Sequence, residues 1–416
     1  MDDAGADTGP RSDASVAVHD AGVDAPLATD AGSDAFVAVD ASPDVGSDAA
    51  SDVTTLRIVY PAGHTITVRG SGAPLSWDTG TATTYADGAY VLALHGLAGT
   101  VELKPLLDDD ATWSLGPNFH LSPGQSVEIQ PRFHTSNGRV ETLLTWTSAT
   151  LGNSRAVYVY LPAAYDENTS AHFPVLYMHD GQNLFDPSLA FGGNEWHVDE
   201  TMDTAGLHGV CSDGAACDND GGCTSGLCTT HESTIVVGIA NTANRIGEYT
   251  TTMDPTTPGG GDGDAYLDAI ASELRPMIDA MLRTRTDRES TGMMGSSLGG
   301  LISAHASVGR TDRYGLIGAM SPSTWWDDDE ILGEIATIPS QPMRALRVYV
   351  DCGGGDADDQ MDTDMLNAAY LAAGFTSGST LRYVVQTGGM HNEVYWSERL
   401  PGALAFLLPP RERATP

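Results

Sequence analysis

The feature that most constrains this chain is an alternation. From about residue 139 to 408, apolar runs of strand length recur between stretches of helical periodicity. The runs read AVYVYLP, FPVLYMHD, STIVVGIAN, TGMMGSS, GLIGAMSP, LRVYVDCG and LRYVVQTG. Between two of them, AYLDAIASELRPMIDAMLRT puts Leu267, Ile270, Leu274, Ile278 and Leu282 on one helical face. A strand that is apolar on both faces must be covered on both faces. The pattern therefore predicts an α/β region over 139–409, a mostly parallel sheet between layers of helix.

The texture differs upstream. Over 53–133 the β-prone segments LRIVY, TITVRG, YVLALHG, VELKPLL and VEIQPRF follow one another between turn signals, which predicts a small all-β sandwich. Residues 1–52 repeat DAG, DAP and SDA units, with twelve Asp and neither Glu nor Lys. So few large apolar residues cannot offset chain entropy, and this segment is expected to be a disordered, self-repelling tether.

Net charge is −36, from 56 acidic against 20 basic residues, which argues against nucleic acid as a partner because phosphate would be repelled. No apolar run approaches the roughly 18–20 residues needed to span a bilayer. Cys211, Cys217, Cys223 and Cys228 crowd a polar, Gly-rich insert over 209–231. Their spacing lacks the C-x2-C pairs usual for zinc and favours two disulfides, with three connectivities open. Disulfides imply an oxidising compartment. The start, MDDAGADTGP, has no basic or hydrophobic leader segment. The expectation is thus an exported chain without its leader: secreted, periplasmic, or held at a cell surface by a lipid upstream of the tether. With no HExxH or paired Asp/His spacing, neither metal nor cofactor is expected, and oligomeric state is not legible.

Chemistry concentrates around Gly295-Ser296-Ser297-Leu298-Gly299, a G-x-S-x-G segment between the run TGMMG and the helix-like LGGLISAHASV. A sharp strand-to-helix turn exposes the central Ser above the sheet, and the helix N-terminus favours a developing anion. Ser297 is thus the candidate nucleophile. A Ser hydroxyl needs a base, and two His follow it, His305 inside the next helix and His391 on a Gly-rich loop. His391 is the candidate. The acid belongs on the loop GGGDADDQMD, where Asp356 is the first choice and Asp358 its rival, with Asp351 structural. Oxyanion donors would be the N–H groups of Leu298 and of Gln182, where Gly181 lets the loop approach closely. His179 and Asp180 would shape that loop, and Arg245 and Glu248 would form a structural ion pair.

These segments, with EWHVDE, VVGIANTANRIGEYT, SPSTWW and TGGMHNEVYW, resemble the bacterial putative-esterase family of the α/β-hydrolase fold over about 270 residues. That family includes feruloyl esterases, enterobactin esterases, S-formylglutathione hydrolases and mycolyltransferases. The resemblance implies the triad Ser297, His391 and Asp356 with donors Gln182 and Leu298. RGSGAPLSWDTG and VELKPLLDDDATWSLGPN resemble starch-binding and early-set sandwich modules, which implies sugar-stacking roles for Trp77 and Trp113. Trp325, Trp326, Trp196 and Trp396 are candidate substrate-binding aromatics. The function expected is an exported serine esterase acting through an acyl-enzyme on plant-polysaccharide or other aromatic esters. The alternatives are a siderophore esterase or acyltransferase on the same fold, or a carbohydrate-binding surface protein with a vestigial hydrolase domain.

Overall fold

The computed structural model describes residues 53–211, 216–217, 219–224, 228, 231–338, 346–409 and 411–413. The expected tether, 1–52, lies outside them. Eight strands form the main sheet in the order Arg139–Ser148, Asn153–Leu161, Ile235–Ile239, Val175–His179, Thr291–Ser297, Leu316–Pro322, Arg347–Gly353, Leu381–Gln386. The first three pair antiparallel and the rest parallel. The seven apolar runs supply seven of these strands. The eighth, Arg139–Ser148, alternates polar and apolar residues on the half-exposed edge of the sheet, so it carries no continuous apolar signal.

Helices cover both faces, and two large apolar clusters lie on opposite sides of the sheet. Leu267, Ile270, Leu274 and Ile278 are fully buried in one of them. Leu282 is not: the helix passes through a π turn at Ile270–Leu274 and ends at Met281, leaving Leu282 beyond it and only partly covered. Among the described residues no helix is long and apolar enough to cross a membrane.

Residues from Val53 to Ile129 form two small sheets around one apolar cluster that includes Leu56, Val68, Leu92, Leu103 and Ile129. Arg411–Arg413 returns past the α/β region to pair antiparallel with Ser126–Glu128, so the chain end completes the first sheet. The Glu167 carboxylate, beside the main sheet, accepts the N–H groups of Phe133, His134 and Thr135 and the Tyr60 hydroxyl. The insert is cross-linked Cys211–Cys223 and Cys217–Cys228, one of the three possible connectivities.

One buried ion pair holds the strand Asn153–Leu161 against the short helix Arg245–Glu248. The Arg155 guanidinium, 1% exposed, donates to both Glu248 oxygens at 2.6 and 2.8 Å, and Asn153 Nδ2 donates to the same carboxylate at 2.7 Å. This corrects the expected Arg245–Glu248 pair. Arg155 sits on the neighbouring strand and reaches Glu248 directly, while Arg245 turns to Asp180. Removing one partner of a buried pair leaves the other charge uncompensated. Glu248→Ala should therefore lower unfolding free energy by about 3–5 kcal/mol in urea titration; a loss below about 1 kcal/mol would contradict this role.

Candidate active site

The strand Thr291–Ser297 ends at a residue with φ 58° and ψ −127°, and the helix Leu298–Gly309 starts immediately after it. A non-glycine residue in that conformation is strained by about 1–3 kcal/mol, and it persists only where the surroundings impose it. Here they do. A Cβ on Gly295 would stand 2.8 Å from the Gly299 backbone, so only glycine lets the strand end and the helix start pack this closely. The Ser297 side chain thus faces a cleft of about 570 Å³ at the C-terminal edge of the sheet, with His391 on its wall. Among the described residues the hydrogen-bonding neighbour of Ser297 Oγ is Ser323 Oγ, at 3.3 Å.

His391 lies between the last sheet strand and the helix Glu393–Leu407, with the edge of its ring against Trp396 at 5.1 Å. Its Nδ1 is 2.6 Å from Asp358 Oδ1. The other Asp358 oxygen accepts from the Gly353 N–H and from Ser321 Oγ at 2.6 Å. Ser321 Oγ in turn accepts from Trp396 Nε1 and Arg399 at 2.9 and 2.7 Å. Burial raises the Asp358 pKa, but the hydrogen bonds from His391, Ser321 and Gly353 outweigh it and hold the carboxyl below its ordinary value. The side chain is therefore a buried, ionised acceptor that fixes the His391 ring and leaves its Nε2 for the cleft.

The acid choice is thereby corrected. Asp356 is exposed on the turn Gly355–Asp358, and the turn brings Asp358, two residues on, under the sheet edge. Asp351 is buried against Arg399 Nε at 3.0 Å.

The loop after Val175–His179 is held from below. A Cβ on Gly181 would fall 2.4 Å from the Gly238 carbonyl carbon, which explains the glycine. Asp180, at φ 55°, receives a two-pronged contact from Arg245 at 2.9 and 2.8 Å and a bond from Asn241 Nδ2 at 2.7 Å. Gln182 Oε1 accepts from the Asn241 N–H at 3.1 Å, and Gln182 lines the cleft. Leu298 opens the helix at the elbow. His179 packs beneath the elbow, its Nδ1 3.0 Å from the Tyr266 hydroxyl, and burial pushes its pKa down to about 3.

The aromatic candidates separate. Trp196 and Trp326 are 3% and 2% exposed and belong to the core, Trp196 against Trp396 and Trp326 with its Nε1 on the Thr252 carbonyl. This corrects their substrate-binding assignment, since neither offers a face to a ligand. Trp325 is exposed but is not among the residues lining the cleft, whereas Trp396 does line it. Trp77 and Trp113 are exposed on the sandwich with ring centroids 6.2 Å apart and Arg69 over Trp113. The cleft also contains Asn183, Asn241, Arg245, Glu393, Leu189 and Phe191, which sequence reasoning did not assign to it. Asn241 and Arg245 carried a faint signal, following the strand run STIVVGIAN at the sheet edge.

A family model described as Putative esterase matches residues 148–407. The chain belongs to this esterase family. The esterase is similar to the uncharacterized protein YbbA of Bacillus subtilis (strain 168), 26% identical over 269 residues, 62% of this chain and 93% of YbbA. It is also similar to the iron(III) salmochelin esterase of Escherichia coli O6:H1, 26% identical over 297 residues, 68% of this chain and 62% of that protein. A solved ferulic acid esterase shares 21% identity, with a TM-score of 0.48 over 65% of this chain and 98% of its own.

Two expectations follow for this esterase. Asp358→Asn should lower kcat about a thousandfold or more, because the His391 tautomer and orientation are lost. Asp356→Asn should stay within about twofold, since its carboxylate is exposed on the outside of the turn; steady-state kinetics with the reverse ranking would contradict the geometry. The His179 imidazole protonates near 6.5 in an unfolded chain and near 3 when folded. Between those values the unfolded state binds more protons, so stability falls as pH drops through that window. Urea midpoints from pH 7 to 4 should fall less steeply in His179→Gln than in the wild type; parallel slopes would refute this.

Proposed function

We propose that the protein is a serine carboxylic-ester hydrolase working through an acyl-enzyme. The observation that carries this reading is the joining of a strained, cleft-facing Ser297 and a His391–Asp358 pair in one cleft. His391 Nε2 takes the Ser297 proton as Oγ bonds to the ester carbonyl carbon. The resulting oxyanion is met by the Leu298 and Gln182 N–H groups. Collapse of the intermediate breaks the bond to the alcohol, which leaves with the proton from His391. Water then attacks the acyl-enzyme, giving its proton to His391, and the acid departs as Ser297 regains a proton.

The two disulfides of the insert support an oxidising compartment, hence an exported enzyme. The exposed Trp77–Trp113 pair supports a polysaccharide-linked aromatic or acetyl ester as substrate, with the sandwich holding the polymer.

Wild type should hydrolyse members of a panel of p-nitrophenyl esters, methyl ferulate and acetylated xylan. Ser297→Ala should abolish turnover while folding normally by circular dichroism. Trp77→Ala/Trp113→Ala should lose only the preference for polymer over soluble ester. A Ser297→Ala protein with wild-type turnover would defeat the mechanism, and an unchanged polymer preference would defeat the sandwich role.

A further inference from the structure

Beyond the lining of the cleft, Glu195, His197 and Glu200 each bring one ligating atom to within 4.8 Å of the others. Glu195 and His197 precede the helix Val198–Leu207, and Glu200 lies in its first turn. The spacing E-x-H-x2-E signals no metal in sequence; the turn at His197, φ 51°, lies between the two glutamates.

The Glu195 side chain is 5% exposed, and its Oε2 is buried with no hydrogen-bond partner among the described residues. Burial, with the charges of Glu200 and Asp186, raises its pKa. A buried carboxylate oxygen left unpaired is costly, and a bound cation would remove that cost. The basic group that reaches it is His197, whose Nδ1 stands 3.4 Å from Glu195 Oε1 and 3.7 Å from Glu200 Oε2. A charge-assisted hydrogen bond closes to about 2.7–2.9 Å. Ligand atoms bonded at about 2.0–2.1 Å to a tetrahedral ion stand roughly 3.3 Å apart. The first gap matches that second spacing, and the other two need only small side-chain adjustments.

The cluster sits where a cleft-lining segment is tied off. The Trp196 N–H donates to the Asn183 carbonyl at 2.9 Å, and the Val198 N–H to the Leu184 carbonyl at 3.1 Å. The two ends of the stretch 184–197 therefore lie side by side at the cluster. Gln182 comes just before this stretch, and Leu189 and Phe191 within it line the cleft. One imidazole and two carboxylates suit zinc, whereas calcium takes about six to eight oxygen ligands. We propose that Glu195, His197 and Glu200 bind one zinc ion, with water completing its shell on the exposed side, and that the ion clamps the base of this segment. None of the three lines the cleft, so the ion holds the segment without touching substrate.

The test is a calorimetric titration of EDTA-treated, dialysed protein with zinc chloride, and in parallel with calcium chloride. Wild type should take up one zinc per chain. Glu195→Gln and His197→Asn should each weaken uptake by about a hundredfold. His197 is 57% exposed and Asn tolerates a positive φ, so His197→Asn should fold as wild type by circular dichroism. Chymotryptic cleavage after Phe191, 79% exposed, should slow about tenfold with zinc in wild type and not change with zinc in either variant. A wild type that takes up no zinc would overturn the proposal. Undiminished uptake in both variants would do so too, because it would put the ion elsewhere. Calcium bound in preference to zinc would overturn the choice of ion, and zinc uptake without protection at Phe191 would overturn the clamp.

Discussion

The site depends on one backbone constraint, the positive-φ conformation of Ser297 at the junction of strand and helix. Everything packed around it serves to hold that conformation. Gly295 and Gly299 remove the side chains that would keep the strand end and helix start apart, and His179 fills the space beneath them. The strain at Ser297 is offset by the apolar burial of the helix Leu298–Gly309, nearly all of which is enclosed between sheet and neighbours. Because the parallel strands end along the same edge, the loops after Leu316–Pro322 and Arg347–Gly353 arrive beside the elbow. Ser321, near the end of the first of these strands, and Asp358, on the turn after the second, meet there.

Charge is managed by hydrogen bonding more than by proximity to solvent. Asp358 and Asp351 are both buried, and Arg399 reaches each of them, at 3.5 and 3.0 Å. Ser321 donates to Asp358 and accepts from Arg399 and Trp396, so a single hydroxyl joins the acid, its counter-charge and the ring beside His391. A buried carboxylate without such partners would take up a proton and cease to orient the imidazole. The Asp180–Arg245 pair does the corresponding work on the opposite wall, fixing the loop that offers Gln182.

Much of this was legible in one dimension. Solid apolar runs fixed seven strands, and the elbow had a local signature because its glycines are needed within five residues. His391 could be read because only two histidines follow Ser297 and the other lies inside a helix. The acid could not be assigned the same way. In GDADD the carboxylates are chemically equal, and a short turn alone decides that Asp358 goes in while Asp356 stays out. Trp196 and Trp326 misled for a related reason: a tryptophan near a sheet edge fits a ligand wall or a core equally well until its neighbours are known. Phe191 and Arg245 were missed as cleft residues because segments far apart in sequence build the cleft. The half-exposed edge strand Arg139–Ser148 lacked the apolar run by which the others were found.

We read Ser297 as a nucleophile activated by His391 and Asp358. Reaction of the folded protein with a fluorophosphonate, followed by peptide mass spectrometry, tests it most directly. One adduct per chain is expected, on the peptide carrying Ser297, formed about a thousandfold more slowly in His391→Ala. A folded wild type that stays unlabelled, an adduct on another residue, or an undiminished rate in His391→Ala would contradict it.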